Sequence, residues 1–197
     1  MKLILASQSP RRRELLATLG VRFDTLSADI DETPLCDEQP VDYVRRLGLE
    51  KAAAGLALAD NADAVWVLGS DTSVVADNRI LGKPESRDEF GSMMSLLSGR
   101  THQVMSSIAL VSTAATFSEV VITEVRFTVL SDELIEHYWR SGEPHDKAGG
   151  YGIQGLGSVL VESILGSYSA VVGLPLFETA RLLGKAGLPV WQGALVL

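Results

Sequence analysis

The sequence holds one cysteine, Cys36, in 197 residues. That excludes an intramolecular disulfide and a cysteine-rich zinc site, and leaves Cys36 as a free loop thiol. Cations are scarce too: 17 Lys and Arg stand against 25 Asp and Glu, a formal charge of −8. This acidic balance argues against a nucleic-acid polymer or a membrane surface as partner, since both are bound through a basic excess. No run approaches the roughly 18 apolar residues of a membrane span. The apolar start, residues 1–6, is too short for a signal peptide and is cut off at once by Ser7-Gln8-Ser9-Pro10-Arg11-Arg12-Arg13, so a cytoplasmic protein is expected. The three histidines, His102, His137 and His145, have no metal-ligand spacing. Walker, GxSxG and HExxH patterns are missing, which leaves P-loop, serine-hydrolase and zincin chemistry without support.

What is present suits one domain, residues 1–197. The length falls in the usual ~100–200 residue range, and a hydrophobic content of 46% can build a core without staples. Residues 2–6 read as a buried strand. A helix is expected over 10–19, with Ser9 as N-cap, Pro10 at its first position, Gly20 as its stop and Leu15, Leu16 and Leu19 as its apolar stripe. A second strand spans 22–28, and an acidic loop with Pro34 spans 29–39. Residues 40–58 are helical, with Val41, Val44 and Ala52 inward and Arg45, Arg46 and Glu50 more exposed. An apolar strand over 64–68 runs into Gly69-Ser70-Asp71-Thr72, and residues 72–76 and 80–81 flank a hairpin turn. Phe90, Met93, Met94 and Leu97 repeat at helical spacing within 86–97. Strands over 103–111 and 119–129 pair antiparallel, and a capped helix over 131–140 turns Leu134, Ile135 and Tyr138 inward. A glycine-rich loop over 149–157, a strand over 159–164 and a helix over 175–186 complete the chain. Helices alternate with strands, but consecutive strands fill the middle, so the expected class is α/β with a mixed sheet covered by helices.

Chemistry concentrates in a few segments. Residues 7–13 place two serines and three arginines at a helix N-terminus, where free N–H groups, the dipole and the guanidinium fork all favour phosphate. The competing reading is a capped helix with solvated arginines. Asp71, leaving an apolar strand, suits Mg²⁺ or the orientation of a water; a turn-forming Asp looks the same. The acidic loop Asp29-Ile30-Asp31-Glu32 offers hard ligands for a divalent cation, or a solvated loop. Lys51 sits at the edge of its helix's inward stripe and Lys83 in a rigid turn; each reads as a phosphate ligand or a surface lysine. Gln154, within the glycine-rich loop, has an amide that matches the N–H and carbonyl edge of uracil or thymine; a flexible turn is the competing reading.

These segments occur in an order that resembles the Maf family of nucleoside triphosphate pyrophosphatases along essentially the whole chain. The resemblance rests on Leu5-Ala6-Ser7-Gln8-Ser9-Pro10-Arg11-Arg12, Asp31-Glu32, Glu50-Lys51-Ala52, Leu68-Gly69-Ser70-Asp71-Thr72, Gly82-Lys83-Pro84, Ser98-Gly99-Arg100-Thr101-His102, the stretch Lys147-Ala148-Gly149-Gly150-Tyr151-Gly152-Ile153-Gln154-Gly155, and Val172-Gly173-Leu174-Pro175. It implies an extended mixed sheet with a deep nucleotide cleft, Maf/ITPase-like, and metal-dependent hydrolysis between the α and β phosphates with Mg²⁺ or Mn²⁺. It implies that Ser7, Ser9, Arg12, Lys51 and Lys83 hold the triphosphate. Glu32 and Asp71 would place the metal, Asp71 would activate water, and Arg12, Thr72 and Gln154 would set the base. That last trio resembles the dTTP/UTP branch, with modified pyrimidines as further substrates in a house-cleaning role. The rival readings are an ITP/XTP or 7-methyl-GTP pyrophosphatase and a non-enzymatic regulator of septum formation. Arg13 has no assigned role. The apolar segment 187–197, with Val190, Trp191, Leu195 and Val196, is expected to pack on the body or at a homodimer interface.

Overall fold

A computed structural model describes residues 1–60 and 65–193, without the side chain of Gln192. Ala64, Leu195 and Val196 lie outside the described residues. β1 (Lys2–Ala6) leads into α1 (Pro10–Thr18), β2 (Phe23–Leu26) and, after the acidic loop, α2 (Pro40–Ala57). β3 (Val65–Ala76), β4 (Arg79–Leu81) and α3 (Arg87–Leu97) follow, then β5 (Thr101–Val111), β6 (Thr116–Phe127) and α4 (Asp132–Arg140). β7 (Val161–Leu165), α5 (Tyr168–Val172) and α6 (Leu176–Lys185) close the order. The seven strands form one sheet, β2-β1-β3-β5-β6-β7, with β4 on β3. β1 runs parallel to β2 and β3, and the other pairs are antiparallel, so the sheet is mixed.

Alternation along β3 divides the core. Trp66 and Leu68 join Leu3, Leu5, Leu16, Ile108, Leu110, Leu182 and Leu183 beneath α1 and α6. Further along the same face, Val74 and Ala76 join Val104, Phe127, Phe90, Met94, Leu97 and Ile135 beneath α3 and α4. The opposite face lies under α2, whose Gly48, Ala52 and Gly55 let helix and sheet backbones approach. A Cβ on Gly69 would lie 2.3 Å from the Gly48 carbonyl and 2.5 Å from the Ala52 nitrogen. A Cβ on Gly48 would lie 2.3 Å from Ser107 Oγ. Only glycine fits those contacts.

The sheet has a notch. Leu68 is the last β3 residue paired with β1, and Val74 is the first paired with β4. Between them, residues 69–73 have no strand on that edge among the described residues, while β5 pairs the other edge throughout. Asp71 is therefore mid-strand, not at a strand end as its sequence position suggested. It nevertheless lies beyond the carboxyl end of β1, the crevice position of open α/β sheets.

Other differences from the sequence reading have local causes. β3 is one continuous strand because β5 pairs it across Gly69. Asp77 and Asn78, at φ 49° and 58°, make the two-residue turn into β4. Arg46 is held by Glu38 at 2.7 Å and Glu50 at 3.1 Å instead of reaching into solvent. Residues 156–160 form a 3₁₀ turn, so β7 starts at Val161. α5 is too short to leave a periodic pattern; Ser167 Oγ caps it by accepting from Ala170 N at 3.2 Å. The C-terminal segment packs on the body as far as Trp191: Val190 is buried, and Trp191 donates its backbone N–H to Leu19 O and its indole N–H to Thr18 O.

Candidate active site

The notch opens into a cleft of about 1390 Å³ that runs from the α1 N-terminus to the glycine-rich loop. Ser7, Ser9, Arg12, Glu32, Lys51, Asp71, Thr72, Lys83 and Gln154 all line it, so one cavity gathers every residue given a site role from sequence, while Asp31 of the acidic loop does not line it.

At one end, α1 begins where β1 stops. Ser9 Oγ accepts from Arg12 N at 3.4 Å, and Ser7 Oγ accepts from Ser9 N at 3.2 Å. Arg12 turns inward. Its Nε donates to Gly173 O at 3.0 Å and its Nη2 to Thr72 Oγ1 at 3.4 Å. Thr72 Oγ1 lies 2.9 Å from Ser106 Oγ, which donates to Ala170 O at 2.6 Å. Both ends of this chain fix its direction, because a guanidinium only donates and a carbonyl only accepts. Thr72 therefore donates to Ser106 and accepts from Arg12, and its hydroxyl proton is committed inward. Burial lowers the Arg12 pKa while Asp71 and Glu32 oppose the shift; a guanidinium remains charged throughout. Arg13 is exposed and outside the cleft.

On the α2 side, Lys51 Nζ bridges two carboxylates, Asp71 Oδ1 at 2.7 Å and Glu32 Oε1 at 2.8 Å. Asp71 Oδ2 accepts from Ser73 Oγ at 3.3 Å. Tyr43 donates its hydroxyl to the Glu32 carbonyl at 2.9 Å and so anchors the acidic loop. Burial, then the charges of Asp71 and Glu32, push the Tyr43 pKa up to about 12, so it is a neutral donor. Glu32 and Asp71 converge on one cation-sized position, and no group of three or more His, Cys, Asp or Glu gathers among the described residues. Two hard carboxylates suit Mg²⁺, which completes its shell with water and substrate phosphates.

At the other end, exposed Lys83 and Gln154 project from loops. Lys147, paired with Asp146 and 3.5 Å from Glu143 O, lines the same wall. The loop bearing Gln154 is tied down by Glu143, which accepts from Leu156 N at 2.8 Å, Gly157 N at 2.9 Å and Tyr138 Oη at 2.8 Å. Tyr138 Oη in turn accepts from Gly152 N at 3.0 Å.

Sequence reasoning missed Tyr43, Ser73, Ser106, Tyr138 and Glu143, along with the Ala170 and Gly173 carbonyls. The alternation of β5 marks Ser106 as inward beside Ile108 and so offered a signal. Nothing near Glu143 in the chain announces its partners, two of which are backbone N–H groups.

Residues 2–186 match the family described as Maf-like protein. A dTTP/UTP pyrophosphatase of Vibrio parahaemolyticus is 58% identical over 183 residues, covering 93% of this chain and 96% of that protein. One of the same name from Colwellia psychrerythraea is 56% identical, covering 94% and 89%. A third, from Shewanella oneidensis, is 54% identical, covering 95% and 100%. Among solved structures, the Staphylococcus aureus Ham1 protein is similar at 14% identity and a TM-score of 0.46, covering 82% of this chain and 80% of its own. The ordered motifs lie in one cleft, the family match spans residues 2–186, and the relatives exceed half identity at nearly full coverage: the chain belongs to the Maf family.

Proposed function

We infer that this protein is a nucleoside triphosphate pyrophosphatase that hydrolyses dTTP and UTP to the monophosphate and pyrophosphate, a house-cleaning activity that extends to modified pyrimidine nucleotides. The observation that carries this reading is the single cleft holding a helix N-terminus, Arg12 and Lys83 together with Lys51 and the Glu32–Asp71 carboxylate pair it bridges. The names of relatives at 54–58% identity support the pyrimidine assignment. A cytoplasmic location, where nucleoside triphosphates are used, fits this reading.

In this reading Ser7, Ser9 and the free N–H groups of α1 receive the phosphates, with Arg12, Lys51 and Lys83 offsetting their charge. Glu32 and Asp71 would hold the divalent cation. Mg²⁺ or Mn²⁺, when bound, neutralises phosphate charge as a Lewis acid. With the cation held there, Lys51 would be released from one or both carboxylates and free to turn to the phosphates. Asp71 orients the attacking water and takes its proton. No covalent nucleophile is required, because alignment and electrostatics dominate phosphoryl transfer. Gln154 pairs its amide with the N3–H and O4 edge of the pyrimidine. Thr72 contributes by aiming Arg12, since its proton is already given to Ser106.

The test is a panel of nucleoside triphosphates scored by pyrophosphate release. The expected result is kcat/KM for dTTP and UTP at least roughly tenfold above CTP, ITP, XTP and 7-methyl-GTP, a gap typical of one lost base-edge contact. EDTA is expected to abolish turnover, and Mg²⁺ or Mn²⁺ to restore it. A purine-first ranking would overturn the pyrimidine assignment. No turnover of any nucleotide would favour the septum-regulator reading.

A further inference from the structure

The segment 152–157 is built around one carboxylate. Glu143 Oε2 accepts from Leu156 N at 2.8 Å, and its Oε1 accepts from Gly157 N at 2.9 Å and Tyr138 Oη at 2.8 Å. The Tyr138 oxygen accepts from Gly152 N at 3.0 Å. Both feet of the loop are therefore fastened to a single Glu–Tyr pair. Between the feet, Gly155 N donates to Gly152 O at 3.3 Å and closes a turn with Gln154 as its third residue. The glycines make room for the clamp: a Cβ on Gly155 would lie 2.1 Å from Glu143 Oε2, and one on Gly157 2.4 Å from Tyr138 Oη.

The clamp is charged and rigidly based. Burial opposes the Glu143 carboxylate, but the Gly157 and Leu156 N–H groups, the Tyr138 hydroxyl and Lys147 outweigh it and hold its pKa below the ordinary glutamate value. It is an ionised acceptor at neutral pH, and such charge-assisted bonds are about twice as strong as neutral ones. Tyr138 sits on α4, with its ring against Phe90 of α3. An Arg87–Glu136 ion pair at 2.8 Å also joins the two helices. Gln154 itself has no side-chain hydrogen-bond partner among the described residues, and it lines the cleft. Its amide gains a direction from the turn below it and not from neighbours of its own.

We propose that Glu143 and Tyr138 are specificity-positioning residues, which fix the loop so that Gln154 presents its amide to the pyrimidine edge. They touch no substrate and act through Gln154. The proposal rests on the base-reading role given to Gln154 above, and the experiment separates the two.

The experiment measures kcat/KM for UTP and CTP in the full-length protein, because these nucleotides differ at the edge Gln154 is assigned to read. The variants are Gln154→Ala, Tyr138→Phe, Glu143→Gln and the double variant Tyr138→Phe/Gln154→Ala, each with a melting temperature. Tyr138→Phe keeps the ring against Phe90, and Glu143→Gln keeps the volume but turns an N–H toward the loop N–H groups. Gln154→Ala is expected to cut the UTP:CTP ratio roughly tenfold or more, the discrimination expected of a paired amide. Tyr138→Phe and Glu143→Gln are expected to cut the ratio several-fold, chiefly through the UTP KM. In the double variant the tyrosine change is expected to cost nothing further in the ratio, the non-additivity of residues that act as one unit. A purely structural role would lower the melting temperature and both substrates together, leaving the ratio unchanged. If Gln154→Ala lowers the ratio while neither clamp variant does, the clamp proposal is overturned and base reading stands. If Gln154→Ala leaves the ratio unchanged, base reading fails first and the clamp falls with it.

Discussion

The two ends of the cleft are built differently. The end assigned to phosphate stands on regular structure: Asp71 on β3, Lys51 on α2, Arg12 on α1, with α2 seated so closely that Gly69 meets the Gly48 carbonyl. The end assigned to the base is a loop of glycines hung from Glu143 and Tyr138. The contrast teaches a division of labour. Asp71, Lys51 and Arg12, which carry charge and protons, are fixed by strand and helix backbones, where small misplacements are most costly, while Glu32 and Lys83 reach the cleft from loops. Groups that choose the base sit on a loop whose ties are few and separable.

Breaking the first end has the largest expected effect. Asp71→Asn is expected to lower kcat for dTTP by about 10²-fold or more while KM stays within a few-fold, as for loss of a general base. Steady-state kinetics beside a melting curve checks this, and near-normal turnover would end the assigned role. Acid is expected to loosen the second end. His102 is buried beneath the loop, bonded to Tyr151 Oη at 2.8 Å, and burial lowers its pKa from 6.5 to about 4. Between those values the unfolded chain binds the proton and the folded chain does not, so stability falls as pH drops from about 6.5 toward 4. The full effect is about 3 kcal/mol. Chemical denaturation across that range should show the slope, and His102→Leu should flatten it.

Paired glycine substitutions sharpen the contrast. Gly69→Ala drives a Cβ into the α2 backbone and is expected to cost roughly 1–3 kcal/mol, with activity falling as Lys51 is displaced. At Gly152 a Cβ would meet only side-chain atoms of Glu143 and Lys147, both at 3.2 Å. Lys147 can yield, and the clamped Glu143 oxygen is met at 3.2 Å, so that a shift of a few tenths of an ångström accommodates the methyl; Gly152→Ala is expected to cost less than about 1 kcal/mol and to alter base selectivity more than stability. Equal losses at the two positions, measured by urea denaturation, would erase the distinction. The smallest effect is expected at Arg13, which is exposed and outside the cleft: Arg13→Gln should change stability by less than about 0.5 kcal/mol and leave dTTP kinetics unchanged. Arg12→Gln provides the contrast, because it removes the bonds to Gly173 O and Thr72.

The same contrast governs what the sequence revealed. Periodic signals located α1, α2, α3, α4 and α6 and the antiparallel β5–β6 pair, because burial on one face leaves a pattern. Ser9, Pro10 and Gly20 marked the limits of α1 through local capping chemistry. The lining of the cleft by Arg12, Lys51, Asp71, Lys83 and Gln154 followed from ordered motifs, not from any single segment. The notch was not legible, since it depends on where β1 stops pairing and β4 begins. The Arg12–Thr72–Ser106–Ala170 chain joins residues far apart in the sequence, and the Glu143 clamp binds mainly backbone N–H groups, which carry no residue-type signal, so spacing gave no hint of either. α5, with only five residues, left no periodicity.

The account turns on which bond is cleaved. Incubating the protein with dTTP and Mg²⁺ and identifying the products by chromatography tests it directly. dTMP and pyrophosphate are expected in equal amounts, with both cut about 10²-fold or more in Asp71→Asn. Accumulation of dTDP and inorganic phosphate instead would contradict it.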